Sequence, residues 1–477
     1  MKIALVFPPF TNSIRTTLPK YVDENEGCFP PLGIMYLSSY IKKYKPENDI
    51  LIIDSILEKL DYEAIADKIL RFGADVVGIS CWTFSLIDTL ETAKVVKSRL
   101  PEAKIVVGGP HVNIYPKQTL ENTCIDYVIT NDGEKPFLAL LESIKTNSGF
   151  DKVPNLYFKD SAGLHKSIID HNEEKLDILP FPDRKATSYG SYYNVINAAK
   201  SFTTIITSRG CPFNCHFCLK QETGWRSRSV ENIIEELSEC VKLGIKEIYF
   251  FDETFTVNKK RITELCNEIK RLKLNISWSC RSRVDTIDEE LILSLKSAGC
   301  KMISLGVESA SPQVLKNLNK MINIEQALKV FKLLKKHKMA SLADFMIACP
   351  GERQEDTKMT IELACKMDPD FVQFSMFTLL PCTKLYDDAL KSKIIQNDTW
   401  RQFAQGPVIG FKPPMWNIYS EQEAVKLLDK AYRAFYLRPS YILRKIYAIK
   451  SFKQILLYIR SGLSIMFTMF SKDKEIK

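Results

Sequence analysis

The sequence predicts an α/β protein built from two parallel-sheet units: an N-terminal Rossmann-like doubly wound sheet, then a partial six-fold strand-helix barrel, with a helical C-terminal region. Three observations predict it. Short apolar runs alternate with amphipathic stretches from the first residues onward. That rhythm lapses after residue 147 and resumes at Thr203. A length of 477 residues also exceeds what one ordinary core accommodates.

Strands are predicted at Ile3–Phe7, Ile50–Asp54, Val76–Ser80, Ile105–Val107 and Tyr127–Ile129, with helices at Leu32–Lys43, Tyr62–Phe72, Leu86–Arg99 and Lys135–Ile144 between them. Short buried strands separated by helices of this length imply a parallel sheet with both faces covered, occupying residues 1–147. Residues 148–195 form a connector: Asn155–Lys159 and the turn Asp160-Ser161-Ala162-Gly163 predict a hairpin, followed by the proline-marked Leu179–Asp183. Over 196–396, strands are predicted at Thr203–Thr207, Glu247–Phe251, Ile276–Cys280, Met302–Val307, Leu342–Ala348 and Phe371–Phe377. The intervening stretches, such as Val230–Leu243, Lys260–Leu272 and Glu325–Lys336, are long enough for crossovers. In such barrels the chemistry gathers at the C-terminal ends of the strands. Residues 397–477 read as helical and basic.

Composition narrows the function classes. With 45% hydrophobic and 26% charged residues, the chain has the balance of a folded globular protein rather than a disordered or fibrous one. A formal charge of +9 could suggest nucleic acid or an anionic membrane but is mild over this length except where basic residues cluster, as they do near the C-terminus; no nucleic-acid partner is expected. The opening apolar run to Phe7 is too short for a signal peptide, so a cytoplasmic location is expected. A disulfide framework is therefore not expected of the thirteen cysteines. Ten are scattered singly, as small buried hydrophobes are.

The other three form a set: Thr207-Ser208-Arg209-Gly210-Cys211-Pro212-Phe213-Asn214-Cys215-His216-Phe217-Cys218, directly after the barrel's first strand. Three thiolates spaced CxxxCxxC on one loop suit an iron-sulfur cluster with one iron left free of protein. The alternatives are a zinc site completed by His216 or a remote cysteine, or a chance grouping of buried thiols; zinc sites usually bring a second close pair, and none is present.

This loop, including the aromatic Phe217 before the third cysteine, resembles the signature of the radical SAM superfamily. The resemblance implies that Cys211, Cys215 and Cys218 ligate a 4Fe-4S cluster. S-adenosylmethionine (SAM) would chelate the fourth iron and be cleaved by a single electron to methionine and a 5'-deoxyadenosyl radical, with Phe217 beside the adenine. Further segments lie at the ends of successive strands. Asp252 and Glu253 in Phe251–Phe255 match the position that receives the SAM amine, and Arg281 could meet its carboxylate. Glu308 in Gly306-Val307-Glu308-Ser309 matches the ribose segment, and Phe345–Glu352 the segment flanking adenine. A low-potential donor such as flavodoxin or ferredoxin is implied as the electron source.

A Rossmann-like domain before such a barrel is similar to the cobalamin-binding subclass, and the likeness spans almost the whole chain. Its pieces are Phe7-Pro8-Pro9, Pro30-Pro31-Leu32-Gly33, Gly78-Ile79-Ser80 and Val107-Gly108-Gly109-Pro110-His111. Cobalamin's nucleotide tail is expected beside Ser80, Gly108 and Gly109, where glycines admit a bulky cofactor. The better-known D-x-H-x-x-G signature is missing, which implies a cobalt without a histidine ligand. His111 is expected to contact the nucleotide or solvent from its loop rather than the metal. The alternative is a degenerate domain that binds nothing. Asn131-Asp132-Gly133-Glu134 stands where the subclass more often has glycine-glutamate-glycine-glutamate.

Tyr432–Pro439 resembles a segment near the end of class B radical SAM methyltransferases, which caps the barrel or simply packs on it. From Tyr441 to Phe470, basic and large apolar residues mix as in interfacial helices, and the two readings are contact with a membrane surface or docking on the barrel. The function the resemblance implies is methylation of an unactivated carbon with cobalamin as carrier. The alternatives are cyclisation, oxidation or rearrangement by the same machinery, or an iron-sulfur electron carrier or assembly protein. The substrate is expected to be a small molecule or a lipid, with tetrapyrroles and peptide-like compounds in range.

Overall fold

The computed structural model describes residues 1–14, 27–169, 175–194, 201–219, 224–416 and 419–447. The first sheet runs β1 (Lys2–Phe7), β2 (Asp49–Asp54), β3 (Val76–Ser80), β4 (Lys104–Gly108) and β5 (Tyr127–Ile129), all parallel, in the spatial order β2-β1-β3-β4-β5. Alternate residues serve opposite layers. Ile3, Leu5, Val76 and Val106 face α1 (Leu32–Tyr44), whereas Ala4, Val6, Val77, Ile79 and Val107 face α2 (Tyr62–Phe72), α3 (Leu86–Arg99) and α4 (Pro116–Glu121). Such strands read as continuous apolar runs because neither face meets water. Helix α5 (Glu134–Thr146) packs beside α1 on the first of these layers.

The predicted hairpin is β6 (Leu156–Asp160) and β7 (Gly163–Lys166). It adds antiparallel to β5, so the first sheet has seven strands and continues past residue 147.

The second sheet has six parallel strands in sequential order: β8 (Phe202–Ile205), then, after the small antiparallel pair β9 (Ser208–Gly210) and β10 (Trp225–Ser227), β11 (Glu247–Phe250), β12 (Ser277–Arg283), β13 (Cys300–Glu308), β14 (Ala340–Ile347) and β15 (Phe371–Met376). Its connecting helices are α6 (Val230–Lys242), α7 (Lys259–Arg271), α8 (Glu289–Ser297), α9 (Pro312–Asn317), α10 (Ile324–Lys336) and α11 (Gln354–Met367). One face of each strand, including Phe250, Trp278, Ile303, Phe345 and Phe374, enters a single apolar core shared with these helices except α9, whose Val314 packs into the core of the first unit.

The sheet does not close: β8 and β15 are its two edges. After α12 (Lys384–Lys391) and α13 (Thr399–Gln405), helix α14 (Glu421–Tyr436) covers the β15 edge, and α15 (Pro439–Tyr447) follows. Tyr432 Oη accepts from Phe374 N at 3.1 Å and donates to Phe374 O at 3.0 Å; Tyr436 does the same to Val372 at 3.0 and 2.8 Å. Two tyrosines one helical turn apart thus satisfy the edge strand's unpaired backbone groups. Within Tyr432–Pro439 this edge-capping is what the helix does, and Arg438 donates to Cys365 O and Asp368.

A buried ion triad anchors the connector to the barrel. Glu236 on α6 is enclosed and accepts from Arg184 Nη2 at 2.6 Å and from Arg228, while Arg184 Nη2 also donates to Thr204 O at 3.1 Å. Burial alone pushes the Glu236 carboxyl up, but the two guanidiniums outweigh it and hold it below its ordinary range.

Candidate active site

In the sheet order β2-β1-β3, the chain reverses direction of travel between β1 and β3, which opens a crevice beyond their carboxyl ends. Phe10 and Trp82 follow those two strands and are 42% and 43% exposed, unusual for side chains of that size. Ser80 ends β3 in register with Gly108, and a Cβ on Gly108 would meet nothing nearer than Ile129 O at 3.7 Å. Gly109 differs. Its φ is +105°, and a Cβ there would lie 2.8 Å from Cys81 O, so only glycine permits this crossing of two backbones. Gly108, with no tight contact at its Cβ position, and the two exposed rings are what the ends of these strands offer to a ligand.

His111 departs from expectation. It is fully buried rather than on a loop surface, with Nδ1 3.3 Å from Thr83 Oγ1 and its ring 5.6 Å from that of Tyr115. Burial pushes its pKa down to about 3, so the ring is neutral at working pH, and no solvent touches it.

The cysteine loop lies at the mouth of the barrel. Its backbone is clamped from two sides: His216 N donates to Leu318 O at 2.9 Å, and Leu385 N donates to His216 O at 3.1 Å. Cys211 Sγ is 3.5 Å from Thr254 Oγ1, and Cys215 Sγ accepts from Arg283 Nη1 at 3.3 Å. Cys218 has its thiol pushed up by desolvation and then by Glu253, Cys215 and Cys211, with Lys320 opposing. Three thiols and a carboxylate near one another repel once ionised, and iron neutralises such a set. Among the described residues, no three His, Cys, Asp or Glu side chains converge tightly enough for a single metal ion. In a cubane each of three cysteines takes its own iron corner, which matches three thiols carried on one loop.

Other predicted residues divide. Asp252 is buried with its oxygens engaged: Oδ1 accepts from Thr207 N at 2.7 Å, and Oδ2 from the hydroxyls of Thr207 and Ser208 at 2.6 Å each. It fastens the segment leading into the cysteine loop. The neighbouring Glu253 is exposed and within electrostatic reach of Cys218. Glu308 adopts a left-handed φ of +70° and pairs with Lys320 Nζ at 2.7 Å. A non-glycine residue held there signals local strain at a site the fold over-determines. Phe217 is partly buried against the core that the two units share. In the adenine segment, Cys349 N donates to Glu352 Oε2 at 2.7 Å and Asn317 Nδ2 to Pro350 O at 2.8 Å.

The barrel interior is polar, unlike the packed apolar layers of a closed barrel. Register places Tyr249, Arg281, Ser304, Asp344 and Gln373 on this inner face, alternating with the core residues. Arg281 is exposed to the lumen, with its guanidinium 5.8 Å from the Phe251 ring centroid. Ser304 donates to Asp344 at 2.9 Å. Burial pushes the Asp344 carboxyl up to about 6, against Arg281 and with help from Glu308. Phe251, 43% exposed, lies beside Phe29, which reaches over from the N-terminal unit.

The two units meet at the cysteine loop. Arg209, two residues before Cys211, pairs with Asp132 at 2.5 Å and Glu134 at 2.6 Å, while Arg226 pairs with Asp132 at 2.7 Å. Asn131 supplies the left-handed φ of +63° that a glycine would otherwise provide in this loop.

Comparison with known proteins agrees with this geometry. Residues 205–364 match the Radical SAM superfamily and residues 20–141 the B12 binding domain. An uncharacterized methyltransferase of Pyrococcus horikoshii is 36% identical over 453 residues, covering 94% of this chain and 95% of that one. The chain belongs to the cobalamin-dependent radical SAM methyltransferase family. The anaerobic magnesium-protoporphyrin IX monomethyl ester cyclase of Rubrivivax gelatinosus is a more distant relative, 26% identical and covering 88% and 76% of the two chains. The cobalamin-dependent S-adenosylmethionine radical enzyme OxsB shares the fold, with a TM-score of 0.71 at 18% identity, covering 98% of this chain and 72% of that one. As a cobalamin-dependent radical SAM protein the chain uses a 4Fe-4S cluster, SAM and cobalamin.

Sequence reasoning passed over Arg283, Lys320, Thr254, Phe10 and Trp82. Arg283 stands two residues after Arg281 but beyond the predicted end of its strand at Cys280; Lys320 lies far along the chain and gave no signal.

Proposed function

We propose that this chain methylates an unactivated carbon of a small-molecule or lipid acceptor held in the barrel lumen. The observation that carries the proposal is the clasp of Arg209 with Asp132 and Glu134, which joins the loop after β5 of the cobalamin unit to the residues leading into Cys211. Carrier and radical source then face one space. When bound, the cluster and SAM supply hydrogen-abstracting chemistry and cobalamin supplies a transferable methyl group.

This chain's residues bind and orient. Cys211, Cys215 and Cys218 hold the cluster. Glu253, exposed beside Cys218, receives the SAM amine, and Arg281 takes its carboxylate. Glu308, steadied by Lys320, accepts from a ribose hydroxyl, with Phe217 beside the adenine. Ser80, Gly108 and Gly109 border the cobalamin crevice, while Phe10 and Trp82 cover its apolar faces. His111 supports the crevice wall from behind as a neutral buried ring. Deeper in the lumen, Tyr249, Ser304, Asp344 and Gln373 offer hydrogen bonds to an acceptor, and Phe251 and Phe29 shield its apolar part from water.

A low-potential flavodoxin- or ferredoxin-like donor fits the single-electron requirement. Membrane contact rests on α15, where Ile442, Leu443, Ile446 and Tyr447 are exposed beside Arg444 and Lys445. The remainder of the predicted interfacial segment, 448–470, lies outside the described residues. No helix among the described residues is long and apolar enough to cross a membrane. Flotation with anionic liposomes tests this contact: equal binding by the full chain and a form ending at residue 440 removes it.

Anaerobic incubation of the chain with iron, sulfide, cobalamin, SAM and strong reductant tests the methylation reading. Release of both S-adenosylhomocysteine and 5'-deoxyadenosine is expected. Formation of 5'-deoxyadenosine alone would favour the cyclase, oxidase or rearrangement readings, and formation of neither would favour an electron carrier.

A further inference from the structure

Arg283 is the last residue of β12 and is almost wholly buried. Its guanidinium is held on every side. Nε and Nη2 donate to the two oxygens of Asp285 at 2.9 and 2.8 Å, Nη2 also donates to Lys320 O at 2.7 Å, and the Phe213 ring centroid lies 4.0 Å from its carbon. The remaining nitrogen, Nη1, points at Cys215 Sγ at 3.3 Å. An arginine fixed this way cannot swing toward water, so its N–H stays aimed at one sulfur. The planar fork makes this possible; a lysine ammonium could not satisfy Asp285, Lys320 O and the sulfur together.

We propose that Arg283 is a positioning residue that sets the reduction potential of the cluster by donating an N–H···S hydrogen bond to the Cys215 ligand. The inference rests on the cluster reading given above. Hydrogen bonds to ligating sulfurs are among the determinants of cluster potential. One-electron reduction makes the cluster more negative, and a donor hydrogen bond from a cation stabilises that form more than the oxidised one. Asp285 offsets part of the cationic charge at distance but leaves the directed N–H in place. The same neighbourhood connects to the SAM site, because Lys320 offers its carbonyl to Arg283 and its ammonium to Glu308.

The test is a dye-mediated anaerobic redox titration, followed by electron paramagnetic resonance of the reduced cluster, on the full chain and on Arg283→Met and Arg283→Lys. Iron and sulfide content are measured alongside. Arg283→Met is expected to lower the reduced-to-oxidised ratio at fixed poise about tenfold, a negative shift of about 59 mV for one electron. Arg283→Lys is expected to fall between it and the wild type. A ratio within about twofold of wild type in a fully loaded Arg283→Met variant overturns the proposal. Loss of the cluster from both variants also overturns it, by making Arg283 a scaffold for the loop. Failure of the wild type itself to bind a cluster would instead remove the reading on which the proposal rests.

Discussion

Replacing His111 with leucine should flatten the acid side of the stability profile by an amount the structure fixes. The ring is fully buried, and its pKa is pushed down from 6.5 to about 3 by burial. Because the folded value is the lower one, the stabilising contribution is whole above pH 6.5 and is lost as pH falls toward 3, where the unfolded chain takes up a proton that the folded chain refuses. At about pH 5 this interval is roughly one and a half units, which at about 1.4 kcal/mol per unit comes to about 2 kcal/mol. Urea unfolding of the cofactor-free wild type and His111→Leu at about pH 7.5 and about pH 5, followed by circular dichroism, measures it. The wild type should lose about 2 kcal/mol more than the variant between the two pH values. Equal losses would mean that the ring takes up its proton as readily in the folded chain as in the unfolded one, which would refute an enclosed, apolar surrounding for it.

Other perturbations have equally definite outcomes. Glu236→Gln leaves two buried guanidiniums around a neutral amide and should cost about 3–5 kcal/mol, read as a lowered thermal midpoint. Removing both edge-capping hydroxyls in Tyr432→Phe/Tyr436→Phe should cost about 1–3 kcal/mol per strand residue left unpaired, while each single variant costs less. A methyl group at Gly306 would overlap Glu308 Oε1 and come within 2.9 Å of Lys320 Nζ. Gly306→Ala should therefore weaken SAM binding by about tenfold, on the scale of one lost charge-assisted hydrogen bond, in an equilibrium binding assay.

The sheet elements were readable in the sequence because buried parallel strands are unbroken apolar runs, and the segments Val76–Ser80 and Tyr127–Ile129 fall where that pattern put them. The third barrel strand ran longer than predicted, through Arg283, because its inner face is polar and hides the apolar signal. Attachment of the hairpin to β5 could not be read, since two antiparallel strands carry no mark of the edge they join. At the site, the CxxxCxxC spacing was sufficient to place the cysteine loop. That Asp252 also braces the segment before the cysteines was not legible, because only the fold brings the hydroxyls of Thr207 and Ser208 to its carboxylate. The burial of His111 was hidden for a related reason. A histidine after a glycine pair looks like a loop residue, whereas in the fold the close crossing of Gly109 over Cys81 turns the following residues inward. The tyrosines of α14 gave no signal of their own, because an aromatic stripe on a helix usually means apolar packing rather than two hydroxyls closing a sheet edge.

Whether the three loop cysteines hold a cubane is decided by iron and sulfide analysis with absorption and Mössbauer spectra, on anaerobically reconstituted wild type and on Cys211→Ala/Cys215→Ala/Cys218→Ala. The wild type should carry about four irons per chain in a single cubane whose spectrum changes when SAM is added, and the triple variant should carry none. A cubane spectrum retained by the triple variant, or a wild type that binds one zinc ion and no cluster, would contradict that assignment and the radical chemistry built on it.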